Sequence, residues 1–247
     1  MFRRRAGLLV VLLSCPSVGL AQDAPPPPRH ETTGEFAFVG VSGNASSTTA
    51  GLGYETILRP DTWVLRHRLS FVRNESEGLR TAQALLYTPR VEKAIDSRLS
   101  AFGEYAYFRD RFAGVANRSS GSGGLAMTLV RAGRQKLTAD LGVGYLNEDR
   151  LAGADVSSAT WSTGAVYVMK LSDTSEISDD LGIVGTIDNA NDWRLDHTIA
   201  LTAKLTSIVS LKVSNAVRFS HFPAPGFKRT DTVTSVALVA SFKRQSP

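Results

Sequence analysis

Between Gln135 and Leu171 the chain changes character at every second residue. Leu137, Ala139, Leu141, Val143 and Tyr145 alternate with Lys136, Thr138, Asp140, Gly142 and Gly144. After a polar, glycine-bearing loop, Trp161, Thr163, Ala165, Tyr167, Met169 and Leu171 alternate with Ser162, Gly164, Val166, Val168 and Lys170. A period of two puts one set on each face of a β-strand, so this stretch reads as two long strands joined in a hairpin. Strands of roughly ten residues with aromatics near their ends have the length and the interfacial anchors of bilayer-crossing strands. In hydrocarbon every backbone N–H and C=O needs an internal partner, and each orphan costs several kcal/mol. A sheet meets that demand only by closing on itself. The feature therefore predicts an all-β chain folded as a closed antiparallel transmembrane β-barrel.

The N-terminus reads as a targeting segment. Arg3, Arg4 and Arg5 precede the apolar run Ala6 to Leu13, and Gly19-Leu20-Ala21 offers small residues for cleavage, so residues 1–21 are expected to be a secretory signal. A lipoprotein signal is the rival, because Leu12-Leu13-Ser14-Cys15 loosely resembles a lipobox. Cys15 is the only cysteine. Cleavage after Ala21 leaves no thiol for disulfides, metal thiolates or Cys nucleophiles. It also removes three arginines, leaving 25 basic against 23 acidic residues and lowering the formal charge from +5 to +2. The high pI is thus partly a property of the leader and argues for no nucleic-acid partner.

Residues 22–33, with Pro25 to Pro28, read as a Pro-rich periplasmic linker. Strands follow from Gly34 to Phe242, and residues 243–247 are a C-terminal tail. Counting hairpins gives about twelve strands, an even number that returns both termini to one side. Pro89 is expected near a strand end, because it cannot donate to the ladder. Arg109 to Ser122 reads as a long polar connection, Ala132-Gly133-Arg134 as a tight one, and short and long connections then alternate. That asymmetry belongs to barrels with short periplasmic turns and longer external loops. Expected surroundings are the bilayer and lipopolysaccharide of a Gram-negative-type outer membrane, reached through the outer-membrane assembly machinery, with small solutes or ions as possible cargo.

Three runs together carry a family likeness. They are Ser42-Gly43-Asn44 with Thr48-Thr49; Arg109-Asp110-Arg111-Phe112-Ala113-Gly114 with Gly121 to Leu125 and Gly142-Val143-Gly144-Tyr145; and Lys228-Arg229-Thr230-Asp231-Thr232. The chain resembles the YdiY-like family of salt-induced outer-membrane proteins of unknown function, over roughly Gly34 to Phe242. The resemblance implies an outer-membrane barrel with a link to salt or osmotic stress. It implies no catalytic residue and no cofactor.

If the apolar phase faces lipid, the polar phase faces the lumen. By phase this set includes Glu55, Arg66, Arg68, Arg98, Glu104, Lys136, Asp140, Lys170, Glu176, Asp180, Lys204, Lys212 and Arg218. A salt-bridged filling that props the wall open and a narrow aqueous pore with a mild preference for anions both fit these residues. Twelve strands fall between a filled eight-stranded barrel and a wide porin, so strand number does not choose. Glu75, Glu77, Asp110, Glu148, Asp149, Asp155, Asp188 and Asp192 read as solvated loop charge, with no EF-hand spacing for a cation.

A hydrolase at the barrel rim would need a hydroxyl, a histidine and an orienting acid or amide within reach. The candidate histidines are His67, His197 and His221, with Asp196 and Ser220 as sequence neighbours. Neighbours on a strand point to opposite faces, so neither adjacency makes a dyad. No Gly-x-Ser-x-Gly, His-Glu-x-x-His or P-loop run occurs. A non-enzymatic barrel without cofactor or metal is the expectation, and a soluble periplasmic β-domain is the structural rival. The two differ in one respect: a membrane barrel exposes Leu141, Leu201 and Leu238 and encloses Asp140, Lys204 and Arg218.

Overall fold

The computed structural model describes residues 28–41 and 47–244. The expected leader, residues 22–27 of the expected linker, residues 42–46 with Ser42-Gly43-Asn44, and residues 245–247 lie outside the described residues. Twelve strands form one sheet: β1 (His30–Val41), β2 (Ser47–Leu58), β3 (Trp63–Ser76), β4 (Leu79–Ala94), β5 (Leu99–Asp110) and β6 (Val115–Ala132). They continue as β7 (Gln135–Arg150), β8 (Val156–Lys170), β9 (Ser175–Thr186), β10 (Trp193–Lys204), β11 (Val209–Ser220) and β12 (Thr230–Arg244). Each strand pairs antiparallel with its sequence neighbours, and β1 pairs with β12, from His30↔Arg244 to Phe36↔Leu238. The sheet is a closed barrel. No edge is left to be satisfied by lipid, which a spanning sheet requires.

The side chains are inverted relative to a soluble sandwich. Leu141 is 67% exposed, Leu201 45% and Leu238 52%, all on the outside of the wall. The few buried apolar residues on the strands, such as Phe102, Ala126, Leu146, Ala200 and Ala237, take the opposite phase. Aromatics mark the two interfaces. At the end carrying the termini, Trp63 sits under Lys93, whose Nζ is 5.0 Å from the ring centroid. At the other end Trp193 packs on Phe219, centroids 5.0 Å apart, and stacks on His221 at 5.5 Å. We call these ends inner and outer.

Several local expectations are corrected. β1 begins at His30, four residues ahead of Gly34, because its register with Leu58 and Arg244 continues to that point. Arg109 to Ser122 is not a long loop. Asp110 ends β5 and its carboxylate accepts the N–H of Phe112 at 3.0 Å and of Ala113 at 3.1 Å, capping a 3-10 turn at Arg111–Ala113. Gly114, at φ +81°, then reverses the chain into β6. The Gly- and Ser-rich run from Val115 onward is strand, held by pairing to β5 and β7. The β3–β4 connection is likewise only Glu77-Gly78, both with positive φ. Long and short connections therefore alternate less strictly than expected. Height on the outer side comes from strands that outrun the bilayer, β6 being 18 residues long.

Pro89 is the other correction. It lies well inside β4, opposite His67 on β3, and not at a strand end. The β4–β5 ladder runs from Tyr87↔Tyr107 to Arg90↔Glu104 with Thr88 and Pro89 unpaired between them. The missing N–H thus falls in a gap in the ladder, which is how a proline is tolerated inside a wall. At the inner end, Asp96 closes the β4–β5 turn by accepting the N–H of Arg98 at 2.7 Å and of Leu99 at 2.8 Å, which holds its carboxyl below the usual carboxylate range.

Candidate functional site

The inward phase of the twelve strands builds a charged lumen. At mid-height Glu55 on β2 lies 3.1 Å from Arg68 Nη2 and 3.7 Å from Arg66 Nε on β3. Arg68 also reaches Asp180 on β9, Nη1 to Oδ2 3.8 Å. In the closed ring β3 and β9 stand on opposite sides. This pair therefore crosses the lumen and divides it, yet Arg68 and Asp180 remain 46% and 45% exposed in their side chains. The constriction is polar and leaves room for water beside the pair.

A second group hangs on Arg90 of β4, which joins Glu92 at 2.8 Å, Glu104 at 3.3 Å and Asp140 of β7 at 3.3 Å. Its guanidinium also lies 3.9 Å from the Phe102 ring centroid. A side chain at Gly142 would meet Phe102 Cζ at 3.1 Å and Ser162 Oγ at 2.9 Å. Gly142 is thus the recess that lets Phe102 lie flat under Arg90, a structural reason for the Gly-x-Gly-Tyr run. Lys212 of β11 bonds Glu35 of β1 at 2.8 Å. These cross-strand and cross-lumen pairs cost little net desolvation where water reaches them, and they fix the wall's cross-section.

Towards the inner end the balance of charge changes. Arg131 on β6 and Lys136 on β7 are direct cross-strand partners, and neither makes an ion pair among the described residues. Like charges in that relation repel. Arg98 in the inner turn donates its own N–H to Asp96. Lys170 stands across from Glu176, and Lys204 Nζ bonds the Asp173 carbonyl at 3.0 Å on the rim. Of the inward residues marked in the sequence, Glu55, Arg66, Arg68 and Asp180 meet directly, and Glu104 and Asp140 meet through Arg90. Lys136, Lys170, Glu176, Lys204 and Arg98 stay separate around the inner mouth.

The outer end is crossed by charged and aromatic side chains. Arg218 of β11 lies 5.2 Å from the Phe108 ring centroid on β5, again across the ring, and is 3.7 Å from Asp196. Arg118 covers the same ring at 5.2 Å. Above them Glu148, 3% exposed, binds Arg118 at 2.5 Å, Arg150 at 2.7 Å and Arg194 at 3.1 Å. Asp192 adds contacts to Arg194 at 3.2 Å and Arg150 at 3.8 Å. Glu148 and Asp192 were expected as solvated loop charge; they are instead buried counter-charges for three arginines. Arg194 still keeps Nε and Nη1 without a partner. The β11–β12 connection, residues 221–229, lies across this network. Its Phe222 carbonyl accepts from Arg150 at 3.3 Å, Ala224 is buried, and Phe227 and Pro225 abut Gly114 and Gly153.

Arg90 falls outside the set that phase marks, because Pro89 reads as the end of its strand. Glu148, Arg150 and Arg194 fall outside it because they stand beyond the bilayer, where polar strand reads as loop. A signal was present at Glu148: it continues the inward phase Asp140, Gly142, Gly144, Leu146. Among the described residues none of these three histidines hydrogen-bonds a serine. His67 Nδ1 is 3.0 Å from the Tyr87 hydroxyl, His197 Nε2 2.9 Å from Asp179 Oδ1, and His221 Nδ1 2.8 Å from the Asn191 carbonyl.

Among solved structures the chain is similar to the COG4313 outer membrane channel from Pseudomonas putida F1. The two share 11% identity over 89% of this chain and 97% of that one, with a TM-score of 0.53. It is also similar to the NanC porin at 8% identity, covering 88% of this chain and all of that one, TM-score 0.47. At 11% identity the likeness to the channel is one of fold. No curated protein matches the sequence. Residues 34–242 match the family described as a protein of unknown function, DUF481, and the chain belongs to it.

Proposed function

We propose that this barrel is an outer-membrane conduit for small solutes, throttled at mid-lumen by Arg68 and Asp180 and covered at its outer mouth by residues 221–229. The observation that carries the reading is the half-exposed state of two ion-paired side chains that meet across the ring. A lumen filled for strength would bury them, as Glu148 is buried. The unpaired bases near the inner mouth, Arg131 and Lys136, raise the local concentration of anions there, so the path favours small anions over cations. The apolar outer wall supports a place in the outer membrane beside lipopolysaccharide, with insertion by the outer-membrane assembly machinery. A link to salt stress rests on the family resemblance.

Single-channel recording in planar bilayers tests the reading. Folded, heat-modifiable protein should give discrete current steps, and a potassium chloride gradient should give a reversal potential of the sign set by chloride. Folded protein that never conducts overturns the proposal. In that case a second reading stands, in which the buried Glu148 network and the covered mouth make the molecule a sealed strut of the envelope.

A further inference from the structure

The outward face is apolar over most of its height and is interrupted in two places: by His67 against Tyr87 on β3 and β4, 3.0 Å apart, and by a carboxylate with its base on β9 and β10. On β10 the outward positions run Trp193, Leu195, His197, Ile199, Leu201, so His197 has apolar side chains above and below. On β9 they run Ile177, Asp179, Leu181, Ile183, and on β11 Val213, Asn215, Val217. The direction is fixed by their neighbours: Asp180 and Gly182 point inward, Asp180 to Arg68, and Trp161 lies against Gly185 on the outside. His197 Nε2 is 2.9 Å from Asp179 Oδ1. Asn215 Nδ2 donates to Thr234 Oγ1 at 2.8 Å. Beside them Ile177, Ile199, Leu201, Val213, Asn215 and Thr234 line a shallow groove.

Lipid tails offer no hydrogen bond to a carboxylate or an imidazole, so such groups on a barrel's outer wall persist where something other than lipid covers them. We infer that the wall formed by β9 to β12 is an interface between two copies of this chain. The patch is self-complementary. It presents an acid beside its base and an amide beside a hydroxyl, between ridges of Ile199, Leu201 and Val213 that are each about two-fifths exposed. A two-fold axis through the groove sets each copy's Asp179 against the other copy's His197, and one acid–base pair becomes a closed network of four groups. A lipid or a purely apolar segment laid there would leave the pair as unsolvated as before. The inference does not depend on whether the lumen conducts.

Cysteine cross-linking in native outer membranes tests it. The chain's only cysteine is Cys15, in the expected leader, so introduced thiols report alone. Ile199→Cys should give a dimer of this chain with a short bis-maleimide, and Leu141→Cys, outward on β7 and two or more strands away from either interruption, should not. Asp179→Leu combined with His197→Leu should keep the heat-modifiable barrel and lower the Ile199→Cys dimer at least tenfold. Three outcomes overturn the inference: no cross-link from a folded barrel, equal cross-linking at both positions, or a product containing a different protein.

Discussion

Gly114 and Phe227 touch across the outer mouth: a methyl group on Gly114 would lie 2.7 Å from Phe227 Cδ2 and 3.0 Å from Ala224 Cβ. The β5–β6 turn and the β11–β12 connection come from opposite sides of the ring, so this contact holds the cover in place. Gly114→Ala faces two obstacles, the lost space and a backbone at φ +81°, the latter alone costing about 1 kcal/mol. The expected result is a barrel that still folds with residues 221–229 displaced. Trypsin added from outside reconstituted barrels should then cleave after Lys228 or Arg229 several-fold faster than in the parent, and an unchanged rate would place the cover's anchor elsewhere.

Arg68 and Asp180 make a second relationship across the lumen, and it is open to a double-mutant cycle. Shortening either side chain widens the same gap, so Arg68→Ala and Asp180→Ala should each raise single-channel conductance. The double variant should add little to the larger single effect, because the two changes remove one shared constriction. Additive increases would mean that the two residues narrow separate parts of the path.

Arg131 and Lys136 give a case in which stability and selectivity move in opposite directions. Like charges directly opposed on one face of a sheet cost a few tenths of a kcal/mol to about 1 kcal/mol. Lys136→Glu replaces that repulsion with attraction, and the barrel should gain about 0.5 kcal/mol of stability in urea unfolding. The same change removes an unpaired base from the inner mouth, and the reversal potential in a salt gradient should move towards the cation side. A stabilised barrel with unchanged ion preference would take the inner bases out of the permeation path.

The barrel was legible in the sequence because a strand in lipid has only one tolerable arrangement, and Leu137 to Tyr145 display it without interruption. The limits of that legibility are equally physical. Past the bilayer the outside of the wall meets water, the apolar phase lapses, and Ser119, Ser120 and Ser122 look like loop although they pair with β5 and β7. Pro89 argued for a strand end because sequence does not reveal that β4 and β5 leave two residues unpaired at that height. Phase also says which way Arg68 and Asp180 point, but only closure of the ring, with its order and stagger, says that they meet. Arg90 shows the same limit, since its three acids come from β4, β5 and β7.

Glu148 is where charge removal should cost most. Its carboxylate is 3% exposed and is the shared ion-pair partner of Arg118, Arg150 and Arg194, of which Arg150 and Arg194 are themselves nearly buried. Removing one member of a buried cluster leaves the others charged and without water, a penalty of about 3 kcal/mol or more. Glu148→Gln keeps the shape and discards the charge, so the unfolding free energy from urea titration followed by tryptophan fluorescence should fall by that amount. Glu104→Gln is the control, because that carboxylate is about one-third exposed and Arg90 keeps two other acids; its loss should be under about 1 kcal/mol. Since Glu148 joins β6, β7 and β10 at the outer end, its loss should also free residues 221–229, and trypsin cleavage after Lys228 should accelerate as it does in Gly114→Ala. Equal, small losses for Glu148→Gln and Glu104→Gln would mean that water reaches the three arginines and that the outer network is not sealed.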